Sequence, residues 1–149
     1  MTTELDAHVT LLNDLHFQGS VRSGATIDLD VPASEGGGAG MTPMELVLLS
    51  LASCSAMDVA AILRKKRQPV EGLEVRVHGY RQVENPTVFT DIKLEYVVHG
   101  ADVDPQAVTR AITLSREHYC PVWAMLDPSV RIHSAYRVVC DDPVLCPAD

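Results

Sequence analysis

The segment from Thr42 to Arg67 constrains this chain more than any other. Between Leu46 and Ala61 it carries almost no charge, and both of its ends bear helix-boundary signals. Thr42-Pro43-Met44-Glu45 has the form of a capping box: the Thr42 hydroxyl accepts from the amide of Glu45, and the Glu45 carboxylate reaches back to the amide of Thr42. Pro43 falls at the first helical position, where a missing N–H costs nothing. Arg64-Lys65-Lys66-Arg67 places positive charge at the C-terminal end, which suits the helix dipole, and Pro69 stops the helix. Such a helix is roughly 37 Å long at ~1.5 Å per residue. Being apolar nearly all round, it must be buried on most sides. One domain of 149 residues supplies too little cover, so the pattern predicts a partner chain.

The flanking sequence reads as strands. Ala7, Val9 and Leu11 alternate, as do Ile27, Leu29 and Val31, with Gly19 and Ser23-Gly24 as hairpin turn residues between them. EGGGAG, residues 35–40, has the composition of a mobile connector and lacks the closing Gly-Lys-Ser/Thr of a phosphate-cradling loop. After the helix, Leu73, Val75 and Val77 form one alternating run. Ile92, Leu94, Tyr96 and Val98 form another, with a turn at Asn85-Pro86. Asp104-Pro105 opens a second helix that carries Val108, Ala111, Ile112 and Ser115 on one face. Pro121 cannot continue that helix, so the chain either kinks or restarts there. A restart places Cys120 at the N-cap of a short helix through Met125. Val130, Ile132, Tyr136 and Val138 predict a last strand, and 142–149 reads as a loose tail. The expected class is α+β in one domain spanning 1–149.

Twelve basic against twenty acidic residues give a net charge of −8, which disfavours nucleic acid and anionic membranes as partners. The N-terminus has no basic and apolar leader pattern, and Leu46–Met57, bounded by Glu45 and Asp58, is shorter than the ~20 residues of a membrane span. The expectation is a soluble, cytoplasmic protein. Four cysteines are too few for a disulfide scaffold. They form no CxxC pair, and their spacing to histidine matches no structural zinc site, so no metal is expected.

The chemistry-bearing positions are cysteines. Cys54 sits mid-helix, where a core cysteine is the plain reading. However, Ser50, Ser53 and Ser55 surround it with the small polar groups that solvate a thiolate or a sulfenic acid. Asp58 lies one turn on, on the same face. Its carboxylate opposes thiol ionisation unless a cation pairs with it, and Arg22 and Arg116 are the candidates. Cys120 gains from a helix N-terminus, which favours thiolate. His118 beside it is a possible base but reads more simply as a solvated surface group. Cys140 and Cys146 close the chain, and Cys146 reads as an incidental thiol.

TPMELVLLSLASCSAMDV (42–59) with LSREHYCPVWAML (114–126) resembles the OsmC/Ohr family of osmotically inducible and organic-hydroperoxide-resistance proteins, and within it the YhfA-like branch. The resemblance covers the chain to about Val139. It implies an intertwined homodimer with antiparallel sheets wrapped around a long buried central helix and a second, broken helix. It also implies a thiol peroxidase without metal or flavin, with Cys54 as peroxidatic and Cys120 as resolving cysteine, an organic hydroperoxide as substrate and an external dithiol as reductant.

In the family's hydroperoxide reductases, a glutamate ten positions before the first cysteine and an arginine in the N-terminal hairpin activate the thiolate. Met44 and Phe17 stand at those positions here, and Glu45 faces the opposite side of the helix from Cys54. The expectation is a more apolar pocket, lined by Phe17, Met44, Met57 and Trp123, that prefers bulky organic hydroperoxides to hydrogen peroxide. The loss of the activating pair also motivates a second expectation: a non-enzymatic ligand-binding or redox-sensing protein with an apolar pocket at the dimer interface.

Overall fold

The structure, a computed structural model, describes residues 2–141. The predicted tail 142–149, with Cys146, lies outside the described residues. The chain divides between Val47 and Leu48 into two compact units.

The N-terminal unit holds a three-stranded antiparallel sheet of β1 (Ala7–Asn13), β2 (His16–Val21) and β3 (Thr26–Leu29) in sequence order. The expected hairpin of two strands is therefore a meander of three, and Gly19 is a buried residue of the central strand rather than a turn. In the His16–Val21 alternation it stands where an apolar side chain belongs. A Cβ there would come within 3.2 Å of Ile27, its partner on β3. The turns fall instead at Asp14, whose φ is 46°, and at Ser23-Gly24.

The glycine-rich segment is likewise organised rather than a loose connector. Asp30 is buried and accepts from the amides of Val31 at 2.8 Å and Ala39 at 3.1 Å, while Gly38 N–H donates to the carbonyl of Val31. One short carboxylate thus gathers the loop, a long-range effect that composition does not reveal.

Helix α1 (Pro43–Lys65) starts as its sequence dictates. Glu45 accepts from the Thr42 amide at 2.7 Å, and Glu45 N–H donates to the Thr42 hydroxyl at 3.2 Å. Its far end closes with a paired-bond cap: Gln68 N–H donates to Leu63 O and Arg67 N–H to Arg64 O. That geometry needs a left-handed residue, and Arg67 supplies it at φ 55° where glycine is usual. By length and composition α1 is also sufficient to cross a membrane. This corrects the shorter span read from Leu46–Met57, because the apolar helix runs on past Asp58 through Leu63. Its buried stripe in the second unit is Leu51, Ser55, Val59 and Leu63, four residues apart.

The second unit adds β4 (Gly72–Arg81), β5 (Phe89–His99), α2 (Pro105–Leu114), α3 (Pro121–Leu126) and β6 (Arg131–Val139). β4 pairs antiparallel with β5 through a connection containing the cis Asn85–Pro86 bond. β6 pairs parallel to β5, in contrast to the expected antiparallel arrangement. The reason is connectivity: the chain crosses over through α2 and α3 before returning to the sheet. β5 is central and buries Ile92, Leu94, Tyr96 and Val98 on one face. α2 begins as expected, with Asp104 accepting from Gln106 N–H at 2.9 Å and Pro105 at its first position. Its buried face is Ala107, Val108, Ala111 and Ile112.

The strained cap gives a stability prediction. Replacing Arg67 by glycine relieves the left-handed penalty, and chemical denaturation should show a gain of about 1 kcal/mol.

Candidate functional site

The site lies where α1 meets the break between α2 and α3. After Leu114 the helix widens into a π turn, Ser115–Tyr119, closed by Cys120 N–H donating to the carbonyl of Ser115 at 2.8 Å, five residues back. Cys120 then leaves helical geometry at φ −80° and ψ 102°, and Pro121 starts α3. The chain restarts rather than kinks. Cys120 is the N-cap, its sulfur accepting from Trp123 N–H at 3.4 Å. Placed there, Cys120 neighbours Cys54 on α1 closely enough for that thiol to act on its ionisation. Both are free thiols, with Cys54 half-buried and Cys120 only 2% exposed. Cys140 is disulfide-bonded.

Burial pushes the Cys120 thiol up to about 11, against the pull of the Trp123 N–H, and the neighbouring Cys54 and Asp58 add to the rise. The helix N-terminus thus does not make Cys120 a ready thiolate. The desolvation of a nearly inaccessible sulfur outweighs a single amide from a six-residue helix.

Beneath the thiols runs a buried chain of hydroxyls. The Tyr96 phenol of β5 bonds the Ser55 hydroxyl at 2.6 Å, Ser55 bonds Ser115 at 2.9 Å, and Ser115 donates to Asp58 at 2.9 Å. Tyr96, Ser55 and Ser115 are fully inaccessible, and burial pushes the Tyr96 phenol up to about 12. Asp58 therefore meets a hydroxyl where a cation was expected. Arg116 pairs with Glu117 at 2.9 Å, and Arg22 pairs with Asp6. Beside Asp58 opens a cleft of about 570 Å³ lined by Ala61, Ile62, Leu114 and Tyr119, with Lys65 and Lys66 also on its wall. Among the described residues, no three His, Cys, Asp or Glu side chains gather as a metal site would need.

The other predicted pocket residues divide between the units. Trp123 is buried, its backbone N–H on the Cys120 sulfur, and among the described residues its indole N–H has no hydrogen-bond partner. Met57 is 71% exposed on α1. Phe17 and Met44 belong to the N-terminal unit. There Phe17 lines an apolar cavity of about 360 Å³ with Val9, Leu15, Leu29 and Pro43. Tyr96 and Ser115 were not singled out for chemistry, but a signal existed for Ser55. A hydroxyl inside the apolar stripe Leu51, Val59, Leu63 must find a partner.

The OsmC-like protein family model matches residues 36–134, a stretch that includes both free thiols. The chain belongs to the OsmC-like family. It is 41% identical to protein YhfA of Escherichia coli K12 over 135 residues, covering 91% of this chain and 98% of that protein. A hypothetical protein from Aquifex aeolicus superposes with a TM-score of 0.84 at 31% identity, over 95% of this chain and 100% of the other. An organic hydroperoxide resistance protein OsmC from Legionella pneumophila shares the fold, with a TM-score of 0.71 at 15% identity and coverage of 93% and 99%.

The unequal burial of this OsmC-like pair predicts unequal labelling. At pH 8, site-resolved mass spectrometry should show iodoacetamide modifying Cys54 at least about tenfold faster than Cys120, because only the thiolate reacts. Cys120 should become reactive as pH rises towards 11 or when the protein is unfolded.

Proposed function

We propose that this protein is a two-cysteine thiol peroxidase that reduces organic hydroperoxides to alcohols. The observation that carries the reading is the placing of a part-exposed Cys54 beside a buried, protonated Cys120. Access assigns the roles. The Cys54 thiolate attacks the outer peroxide oxygen; a sulfur–oxygen bond forms, the O–O bond breaks, and the alkoxide takes a proton to leave as alcohol. Cys54 is then a sulfenic acid. Cys120 loses its proton and attacks that sulfur, expelling hydroxide, which takes up the proton as water, and leaving a Cys54–Cys120 disulfide. An external dithiol reduces the disulfide by exchange, which suits a reducing, cytoplasmic setting.

The cleft beside Asp58, walled by Ala61, Ile62, Leu114 and Tyr119, supports a bulky apolar substrate over hydrogen peroxide. The Legionella relative named for organic hydroperoxide resistance supports the same chemistry. A redox-sensing or ligand-holding role is the second reading. Asp58, bonded to Ser115 rather than to an arginine, favours it because among the described residues no salt bridge reaches that carboxylate.

The working unit is a homodimer in this reading. α1 buries one stripe within its unit, and its opposite side leaves Leu49 46% and Met57 71% exposed. A second copy is the cover this apolar face needs. Light scattering should give about twice the 16.2 kDa chain mass; a stable monomer would contradict the dimer.

Titration of reduced protein with cumene hydroperoxide should consume Cys54 and Cys120 together and yield their disulfide, with hydrogen peroxide reacting more slowly. Cys54→Ser should abolish turnover with a dithiol. Cys120→Ser should permit one oxidation, trapped as a sulfenic acid adduct, and then stall. Full turnover in Cys54→Ser would end the peroxidase reading.

A further inference from the structure

The hydroxyl chain under the thiols has a fixed direction. A carboxylate can only accept, so the single Ser115 proton is committed to Asp58 at 2.9 Å. Ser115 must then accept from Ser55 across the 2.9 Å contact between them. The Ser55 proton being used in turn, the 2.6 Å bond to Tyr96 is donated by the phenol. Protons run one way, from Tyr96 through Ser55 and Ser115 to Asp58. All three hydroxyl-bearing residues are fully inaccessible, so water cannot replace a missing member.

The chain also grips α1 in the turn that begins at the first thiol. Ser55 directly follows Cys54, and Asp58 lies one turn beyond it. The Ser115 hydroxyl touches both, while the Ser115 carbonyl holds the amide of Cys120. Two attachment points on the turn that follows Cys54 fix both the slide and the rotation of the π turn along the helix. A third connects that turn to Cys120. We propose that Ser115 is a positioning residue for the Cys54–Cys120 pair, its hydroxyl linking Ser55 and Asp58 so that the two sulfurs are held at bonding approach.

This inference rests on the two-thiol reading only in requiring that Cys54 and Cys120 join; it does not require a peroxide. Equilibration of the full chain with oxidised and reduced glutathione tests it. Two protein thiols and one oxidised glutathione give one protein disulfide and two reduced glutathiones, so the equilibrium measures the effective concentration of the pair.

Ser115→Ala should lower that effective concentration about tenfold, which shifts the potential by about 30 mV for a two-electron couple. Circular dichroism should show the fold retained. Tyr96→Phe removes only the terminal donor and should stay within about threefold of the parent protein. An unchanged or raised value in Ser115→Ala overturns the proposal. Equal losses in Ser115→Ala and Tyr96→Phe do so too, as does failure of the parent protein to form the Cys54–Cys120 disulfide with glutathione. If Ser115→Ala does not fold, Ser55→Ala takes its place, with a loss of threefold or more expected and no loss refuting. Closure by glutathione without peroxide turnover would sink the peroxidase reading and leave the positioning role standing.

Discussion

The 2.9 Å bond between Ser55 and Ser115 is the contact on which the second unit depends. α1 offers its neighbours a stripe of Leu51, Ser55, Val59 and Leu63, and three of those four side chains carry no directional information. Apolar contacts tolerate a slide along the helix; a buried hydroxyl does not. Displacing α1 by one residue would strand Ser55, Tyr96 and Ser115 together, at about 1–3 kcal/mol for each unsatisfied group. A satisfied polar chain in a low-dielectric interior therefore sets the register of α1 against both β5 and the π turn.

That register controls the chemistry through solvation. Cys54 and Cys120 are the same functional group, and they differ in what surrounds them. One keeps partial access to solvent, while the other sits at 2% exposure with a proton it does not readily release. The buried thiol consequently keeps its proton beside its neighbour's sulfur. In the second unit Arg116 is taken by Glu117, and in the N-terminal unit Arg22 is taken by Asp6. Burial thus does two things at once: it keeps the proton on Cys120 and leaves Cys54 the more accessible of the pair.

Signals confined to a few consecutive residues were legible in the sequence. The Thr42–Glu45 box, the Asp104-Pro105 start and Cys120 as an N-cap all follow from local backbone chemistry, and the structure shows each. The two cysteines were legible as a pair through the family pattern. Features set by distant partners were not. Gly19 looked like a turn because its strand role depends on Ile27 opposite. The glycine-rich loop looked mobile because its organiser, Asp30, acts across nine residues. Tyr96 was visible as one member of an alternating strand, but its hydroxyl partner lies 41 positions away. The parallel return of β6 likewise depends on a crossover whose geometry includes the unforeseen π turn.

The π turn explains why a broken helix serves this site where a straight one would not. An α-helix advances about 100° per residue, so one extra residue in a turn rotates everything after it by that amount. The wide bond from Cys120 back to Ser115 makes that rotation at the position before Pro121, which itself cannot continue the helix. The proline forces an end; the π turn determines where the last side chain points. Without the Ser115 hydroxyl on Asp58 and Ser55, the widened turn would have no fixed seat on α1. With it, the least regular backbone in the unit becomes the most firmly located, and Cys120 inherits that location.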